Sequence, residues 1–153
     1  MVVLPTHIID GIENHRMKQV VQEYAQDFAS IAVADALLAT EADYENVAKA
    51  LWESLKDEVG DAPLILMGHG TEHAADGSYA ILETAIRNYA DHEIYIATVE
   101  GAVTIEDVIA RMQKKHVSST NKKMSNQRVV VTPFMLVAGD HANNDCLLYT
   151  SDA

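Results

Sequence analysis

The sequence predicts an α/β fold, with an open parallel sheet that carries helices on both faces. Short β-branched runs alternate with longer amphipathic patterns along the chain, which indicates parallel strands joined by right-handed helical crossovers. Each strand candidate is mostly apolar on both faces, as strands are when helices cover the sheet from both sides. The predicted strands are residues 2–4, 31–34, 64–67, 94–99 and 129–132.

Four amphipathic helices separate these strands. They are predicted over residues 13–28, from residue 41 onward, over residues 78–89 and from residue 104 onward. The first is expected to bury a stripe made of Met17, Val20, Val21, Tyr24 and Phe28. Capping boxes are predicted at three helix starts, pairing Asp10 with Glu13, Thr40 with Asp43 and Thr104 with Asp107. Residues 118–127 are polar and lack an apolar period, which predicts a loop before the last strand.

The charge balance disfavours a nucleic-acid partner. The chain has 23 Asp and Glu against 11 Lys and Arg, a net charge of −12. A nucleic-acid surface needs clustered positive charge. The basic clusters here are the pairs Lys114 with Lys115 and Lys122 with Lys123.

Cysteine content and hydropathy further narrow the class of protein that this sequence can encode. Cys146 is the single cysteine, which excludes an internal disulfide and a Cys-based zinc site. No stretch approaches the roughly 20 apolar residues that cross a bilayer, and the first residues lack the pattern of a secretory signal. We therefore expect a cytoplasmic protein without a membrane partner, and leave a homo-oligomer open.

His and Glu residues follow four of the five predicted strands. His7 and then Glu13 come after the first strand, His69 after the third, Glu100 after the fourth and His141 after the fifth. Ligands of open parallel sheets bind outside the carboxyl ends of the strands. We therefore expect these side chains at one edge of the sheet.

Each residue also has a simpler interpretation. A single His after a strand is more often a loop residue than a ligand, by about two to one. Glu100 could complement the dipole of the next helix. His92 and His116 are interpreted as C-terminal caps, and the role of His73 is left undecided. Together, His and Glu donors suit Co, Ni, Fe or Zn, but they do not name a substrate.

Four segments around these residues resemble the anaerobic cobalt chelatases, the class II chelatase family that makes cobalt-sirohydrochlorin for cobalamin. The longest and most distinctive is PFMLVAGDHANND at residues 133–145. The others are THIIDGIE at 6–13, MGHGTEH at 67–73 and VEG at 99–101.

The resemblance implies a sirohydrochlorin cobaltochelatase, an enzyme that inserts Co2+ into sirohydrochlorin in anaerobic cobalamin biosynthesis. It implies that His69, Glu100 and His141 hold the metal, and that His69 and Glu13 handle protons. Co2+ is then a substrate, and no organic cofactor is needed. The alternatives are an Fe or Ni chelatase, because affinity order alone does not select the metal, and a non-catalytic metal- or haem-binding protein on the same fold.

The family fold has two similar α/β halves with the active site between them. By this resemblance residues 1–60 form the later part of the first half and residues 61–145 most of the second, so one half is complete and the other partial. Residues 146–153 match nothing in the family and resemble an artefact, and the chain looks like an internal fragment. Sirohydrochlorin carries many carboxylates, and their binding is expected to depend on local donors such as Arg87, Arg111 or lysines, or on parts of the family that are absent from this chain.

Overall fold

The computed structural model describes residues 1–120 and 128–136, except for the side chains of residues 116–120. Within these residues the strands are β1 (Val2–Val3), β2 (Ala32–Val33), β3 (Leu64–Gly68), β4 (Ile94–Thr98) and β5 (Val130–Pro133). The helices are α1 (Ile12–Glu23), α2 (Glu41–Val59), α3 (Gly77–Ala90) and α4 (Ile105–Thr120). Short 3-10 turns occupy Ala25–Asp27 and Ala74–Asp76. The five predicted strands and four predicted helices are therefore confirmed.

The strands form two parallel sheets. β1 pairs with β2, and β3 lies at the centre of a second sheet with the order β4-β3-β5. Leu64, the first residue of β3, is opposite Ile94 on one side and Val130 on the other. The parallel direction confirms the prediction, and it places the ends of three strands at one edge.

The core lies on both faces of the three-stranded sheet. Leu64, Leu66, Ile94 and Ile96 belong to a cluster that includes residues of α2 and α3. Their neighbours along the strands, Ile65, Met67, Tyr95 and Ala97, belong to a second cluster with Val108 and Met112 of α4. Alternate strand residues point to opposite faces, so helices cover both sides of this sheet, as predicted.

The two-stranded sheet departs from the prediction. Its strands were expected to be covered on both faces, but Val2 is 71% exposed and Val33 is 37% exposed. The two strands form and pair as predicted, but neither contributes a residue to the two core clusters. Their exposure therefore comes from how this sheet packs. Among the described residues, no helix has both the length and the apolar composition needed to span a membrane.

Helix α1 differs from its prediction at both ends. Gly11 precedes its first turn without a side-chain cap, and Asp10 pairs instead with His15 and Lys18, at 3.3 and 3.2 Å. The predicted Asp10–Glu13 capping box is therefore wrong. The helix also ends at Glu23, and of the predicted buried stripe Val20, Tyr24 and Phe28 are exposed.

The other two predicted capping boxes are confirmed. At α2 the Asp43 carboxylate accepts from the Thr40 N–H at 2.7 Å, and the Asp43 N–H donates to the Thr40 hydroxyl at 3.3 Å. Thr104 and Asp107 make the same reciprocal pair at α4, at 3.1 and 3.3 Å. Both boxes satisfy backbone donors that the first helical turn leaves unpaired.

Three smaller predictions have mixed outcomes. His92 does not cap α3: its Nε2 lies 2.8 Å from the Ala62 carbonyl oxygen, beyond the end of α2, and its ring packs on Trp52. The side chain of His116 lies outside the described residues. Of the predicted loop, residues 118–120 continue α4, while residues 121–127 lie outside the described part of the chain.

Replacing Leu82 by Ala should test the core between α3 and the sheet. Leu82 is fully buried, so we expect the free energy of unfolding to fall by about 2–5 kcal/mol. Ile81→Ala, one position away on the same helix and 55% exposed, is the matched control and should change it by no more than about 0.5 kcal/mol. Urea unfolding followed by circular dichroism measures both. Equal losses would contradict this packing.

Candidate active site

His69 and Glu100 meet where β3 and β4 end side by side. The Val99 N–H donates to the Gly68 carbonyl at 3.1 Å, and the Glu100 N–H donates to the His69 carbonyl at 2.8 Å. These bonds continue the strand pairing by two residues. They bring His69 Nδ1 within 3.8 Å of Glu100 Oε2. The structure thus places two of the three predicted metal-binding residues together.

Both side chains are about half exposed, at 48% for His69 and 54% for Glu100. His69 Nδ1 also lies 3.1 Å from the Gly70 carbonyl oxygen. That contact favours the tautomer with its hydrogen on Nδ1, which directs the lone pair of the ring to Nε2. An imidazole nitrogen and a carboxylate at a solvent-facing edge can bind a metal ion or exchange protons.

The glycines flanking His69 are required by close contacts. Gly70 has φ +82°, and a Cβ there would lie 2.4 Å from the backbone nitrogen of Gly101. A Cβ on Gly68 would lie 2.5 Å from the ring of Tyr79. Only glycine lets the end of β3 lie this close to α3, and lets the loop after β3 pass this close to the loop after β4.

Asp76 joins the two loops that carry His69 and Glu100. One of its carboxylate oxygens accepts from the Thr71 N–H at 3.1 Å, and the other accepts from the Ala102 N–H at 2.9 Å. Sequence reasoning missed this residue. The available signal was its position directly before α3, which is typical of a helix cap, although its side chain makes no capping bond there.

Tyr79 of α3 forms a hydrogen bond with the loop that carries His69. Its hydroxyl accepts from the Gly70 N–H at 3.4 Å. Burial raises the pKa of this hydroxyl above its usual value, and the negative charge of Asp76 acts in the same direction. The phenol therefore stays protonated at neutral pH.

A cavity of about 560 Å³ opens at this edge of the sheet. Its lining combines segments from both parts of the chain: most of residues 6–16, the loop after β3, Glu100, and Phe134, Met135 and Leu136 after β5. His69, Glu100 and Glu13 all line it. The predicted proton-handling residue Glu13 thus faces the same space as the predicted metal-binding pair.

His141 lies outside the described residues, so the third predicted ligand stays a prediction. Leu136, five positions earlier, lines the cavity. Within residues 1–120 and 128–136 no three His, Cys, Asp or Glu side chains are grouped closely enough to hold a metal ion. The described pair therefore needs a donor from elsewhere to complete a three-residue site.

Two further polar side chains line the cavity. Asn14 is fully buried, and neither its amide nitrogen nor its amide oxygen has a partner among the described residues. Nδ1 of His7 is also buried and without a hydrogen bond there. Unpaired buried polar atoms are costly, so this part of the cavity wall is incompletely hydrogen-bonded within the described residues.

His73, Arg87 and Arg111 have other roles. His73 Nδ1 accepts from the Ala75 N–H at 3.1 Å, which caps a short turn. The two arginines pair with the buried carboxylate of Glu83, at 3.1 and 2.6 Å, and lie over the ring of Tyr95. Neither arginine lines the cavity, so the structure does not place them at the candidate site.

Comparison with known proteins gives a consistent result. A family model described as cobalt chelatase (CbiK) matches residues 1–152. The sirohydrochlorin cobaltochelatase CbiKC of Nitratidesulfovibrio vulgaris is 31% identical over 142 residues, which is 91% of this chain and 47% of that protein. The sirohydrochlorin cobaltochelatase of Salmonella typhimurium is 30% identical over 142 residues, 91% of this chain and 49% of that protein. The chain spans about half the length of the curated relatives it matches.

Replacing Asp76 by Ala should loosen both loops. Each hydrogen bond to its carboxylate contributes about 1.5–3 kcal/mol, so we expect the Thr71 and Ala102 amides to exchange with solvent at least about tenfold faster. Asp61→Ala, at an exposed position, should leave both rates unchanged. Amide exchange followed by NMR measures them, and unaltered rates in Asp76→Ala would disprove the link.

Proposed function

Because the chain belongs to the cobalt chelatase (CbiK) family, we propose that it is a sirohydrochlorin cobaltochelatase of anaerobic cobalamin biosynthesis. The reaction inserts Co2+ into sirohydrochlorin and removes two pyrrole protons. The observation that carries this proposal is the meeting of His69 and Glu100, 3.8 Å apart, in a cavity that Glu13 also lines.

In this proposal His69, Glu100 and His141 bind Co2+. Imidazole nitrogen and carboxylate oxygen are donors that suit first-row divalent metals. Because the first two side chains are about half exposed, they can rotate towards one ion without disturbing the core. Three protein donors leave coordination positions open, which the macrocycle nitrogens need if they are to take the metal over.

In this proposal Glu13 accepts one pyrrole proton, and His69 accepts the other at Nε2 once the metal has left that nitrogen for the macrocycle. Both side chains line the cavity, and Glu13 is 69% exposed, so it can pass a proton on to water. A positioned acid or base of this kind typically contributes a factor of about 10²–10⁴ to the rate.

The cavity suits a flat macrocycle. Its volume of about 560 Å³ is within the range of small-molecule sites, roughly 300–1,000 Å³. Ile9, Ile12 and residues 134–136 give it an apolar side that can contact the face of the ring. The polar side chains then face the metal and the pyrrole nitrogens.

Metal insertion by the chain can be followed from the absorbance change when sirohydrochlorin and Co2+ are mixed with it. We expect His69→Ala and Glu100→Gln to lower the rate at least about 100-fold, because each removes a metal donor and His69 also a proton acceptor. His141→Ala should have a similar effect. Thermal unfolding checks that each variant is folded.

Matched controls remove the same groups away from the cavity. His92→Ala and Glu45→Gln should keep the rate of the unaltered chain, since neither residue lines the cavity. Normal insertion in His69→Ala and Glu100→Gln would overturn the residue assignment. Tight metal or haem binding by the unaltered chain without insertion would instead identify a non-catalytic carrier.

A further inference from the structure

The cavity is acidic, which poses a problem for an anionic ligand. Glu13, Glu72 and Glu100 line it, whereas Arg16 is the single Lys or Arg among its described lining residues. A tetrapyrrole with many carboxylates needs a positive partner close by, because the carboxylates of this lining repel it. Arg16 is the described residue in a position to supply that charge.

Arg16 pairs with Glu13, one helical turn earlier on α1. Arg16 Nη1 lies 2.7 Å from Glu13 Oε1, and the two side chains are 68% and 69% exposed. Ion pairs this exposed contribute little to stability, because water screens them and their side chains lose freedom on pairing. The guanidinium can therefore exchange one carboxylate for another at low cost.

The neighbouring cations are held elsewhere. Lys18, also on α1, pairs with Asp10 and Asp35 at 3.2 and 3.7 Å, and it does not line the cavity. Arg87 and Arg111 are engaged by the buried Glu83. In the described part of the cavity, Arg16 is thus the cationic residue that can donate hydrogen bonds to a substrate carboxylate.

We propose that Arg16 is the specificity-determining residue that binds a peripheral carboxylate of the tetrapyrrole, and that it releases Glu13 in doing so. This inference rests on the proposed function and names a residue that selects its substrate. The planar guanidinium can bind a carboxylate through two parallel hydrogen bonds. Once Arg16 turns to the substrate, Glu13 no longer shares its oxygen with the guanidinium and faces the cavity as a proton acceptor.

The test compares Arg16→Gln, Arg16→Lys and Lys18→Gln in steady-state insertion. Arg16→Gln should raise the KM for sirohydrochlorin about tenfold or more, the effect of losing a charge-assisted hydrogen bond, and leave the KM for Co2+ unchanged. Arg16→Lys should restore part of the loss, since Lys keeps the charge but not the planar geometry. Lys18→Gln removes the same charge from the same helix and should match the unaltered chain.

A second substrate separates a direct contact from a general charge effect. A tetrapyrrole with esterified carboxylates should have a raised KM with the unaltered chain, and Arg16→Gln should raise that KM no further. An unaltered KM for sirohydrochlorin in Arg16→Gln, or equal increases in Arg16→Gln and Lys18→Gln, would overturn the inference while leaving the chelatase function standing.

Failure of the proposed function has a different signature. If the unaltered chain inserts no Co2+, the chelatase proposal fails, and titration of the chain with sirohydrochlorin alone still measures the role of Arg16. Weaker sirohydrochlorin binding by Arg16→Gln than by Lys18→Gln would then support the carboxylate contact. Equal binding by these two variants would disprove it.

Discussion

The parallel pairing of β3 with strands on both of its sides is the constraint from which the candidate site follows. β3 is buried along its whole length, and it pairs in parallel with β4 and β5. Parallel neighbours end at the same edge, so the residues after three strands must meet there. His69, Glu100 and Leu136 are found at that edge because the three strands run parallel, and not because of any local motif.

The loops at this edge are held by few but specific contacts. Gly70 permits an approach that a Cβ would prevent, and Asp76 uses both carboxylate oxygens to tie the loop after β3 to the loop after β4. His69 and Glu100 can therefore keep their separation while their side chains remain half exposed. Under the proposed function the site binds a metal and then releases it, which needs this combination of a fixed backbone and accessible donors.

Sequence reasoning succeeded where a repeating pattern carries the information. The buried strands β3 and β4, the Thr40 and Thr104 capping boxes and the meeting of His69 with Glu100 all follow from periodicity, local pairing or topology. It failed where a single tertiary contact determines which partner a side chain takes. Asp10 has the spacing of a cap, yet its carboxylate is taken by His15 and Lys18. Asp76 and Arg16 belong to no periodic pattern, so only the folded chain shows what they contact.

The net charge of the chain is a poor guide to what its cavity binds. At physiological ionic strength charges more than about 8 Å apart in water are largely screened, so the lining residues matter more than the total of −12. The described lining holds three carboxylates and one guanidinium, a formal charge that one Co2+ ion would neutralise. Under the proposed function the metal therefore removes much of the repulsion that the acidic lining exerts on an anionic macrocycle. Arg16 then gives one carboxylate of the macrocycle a directional contact, which a net charge cannot provide.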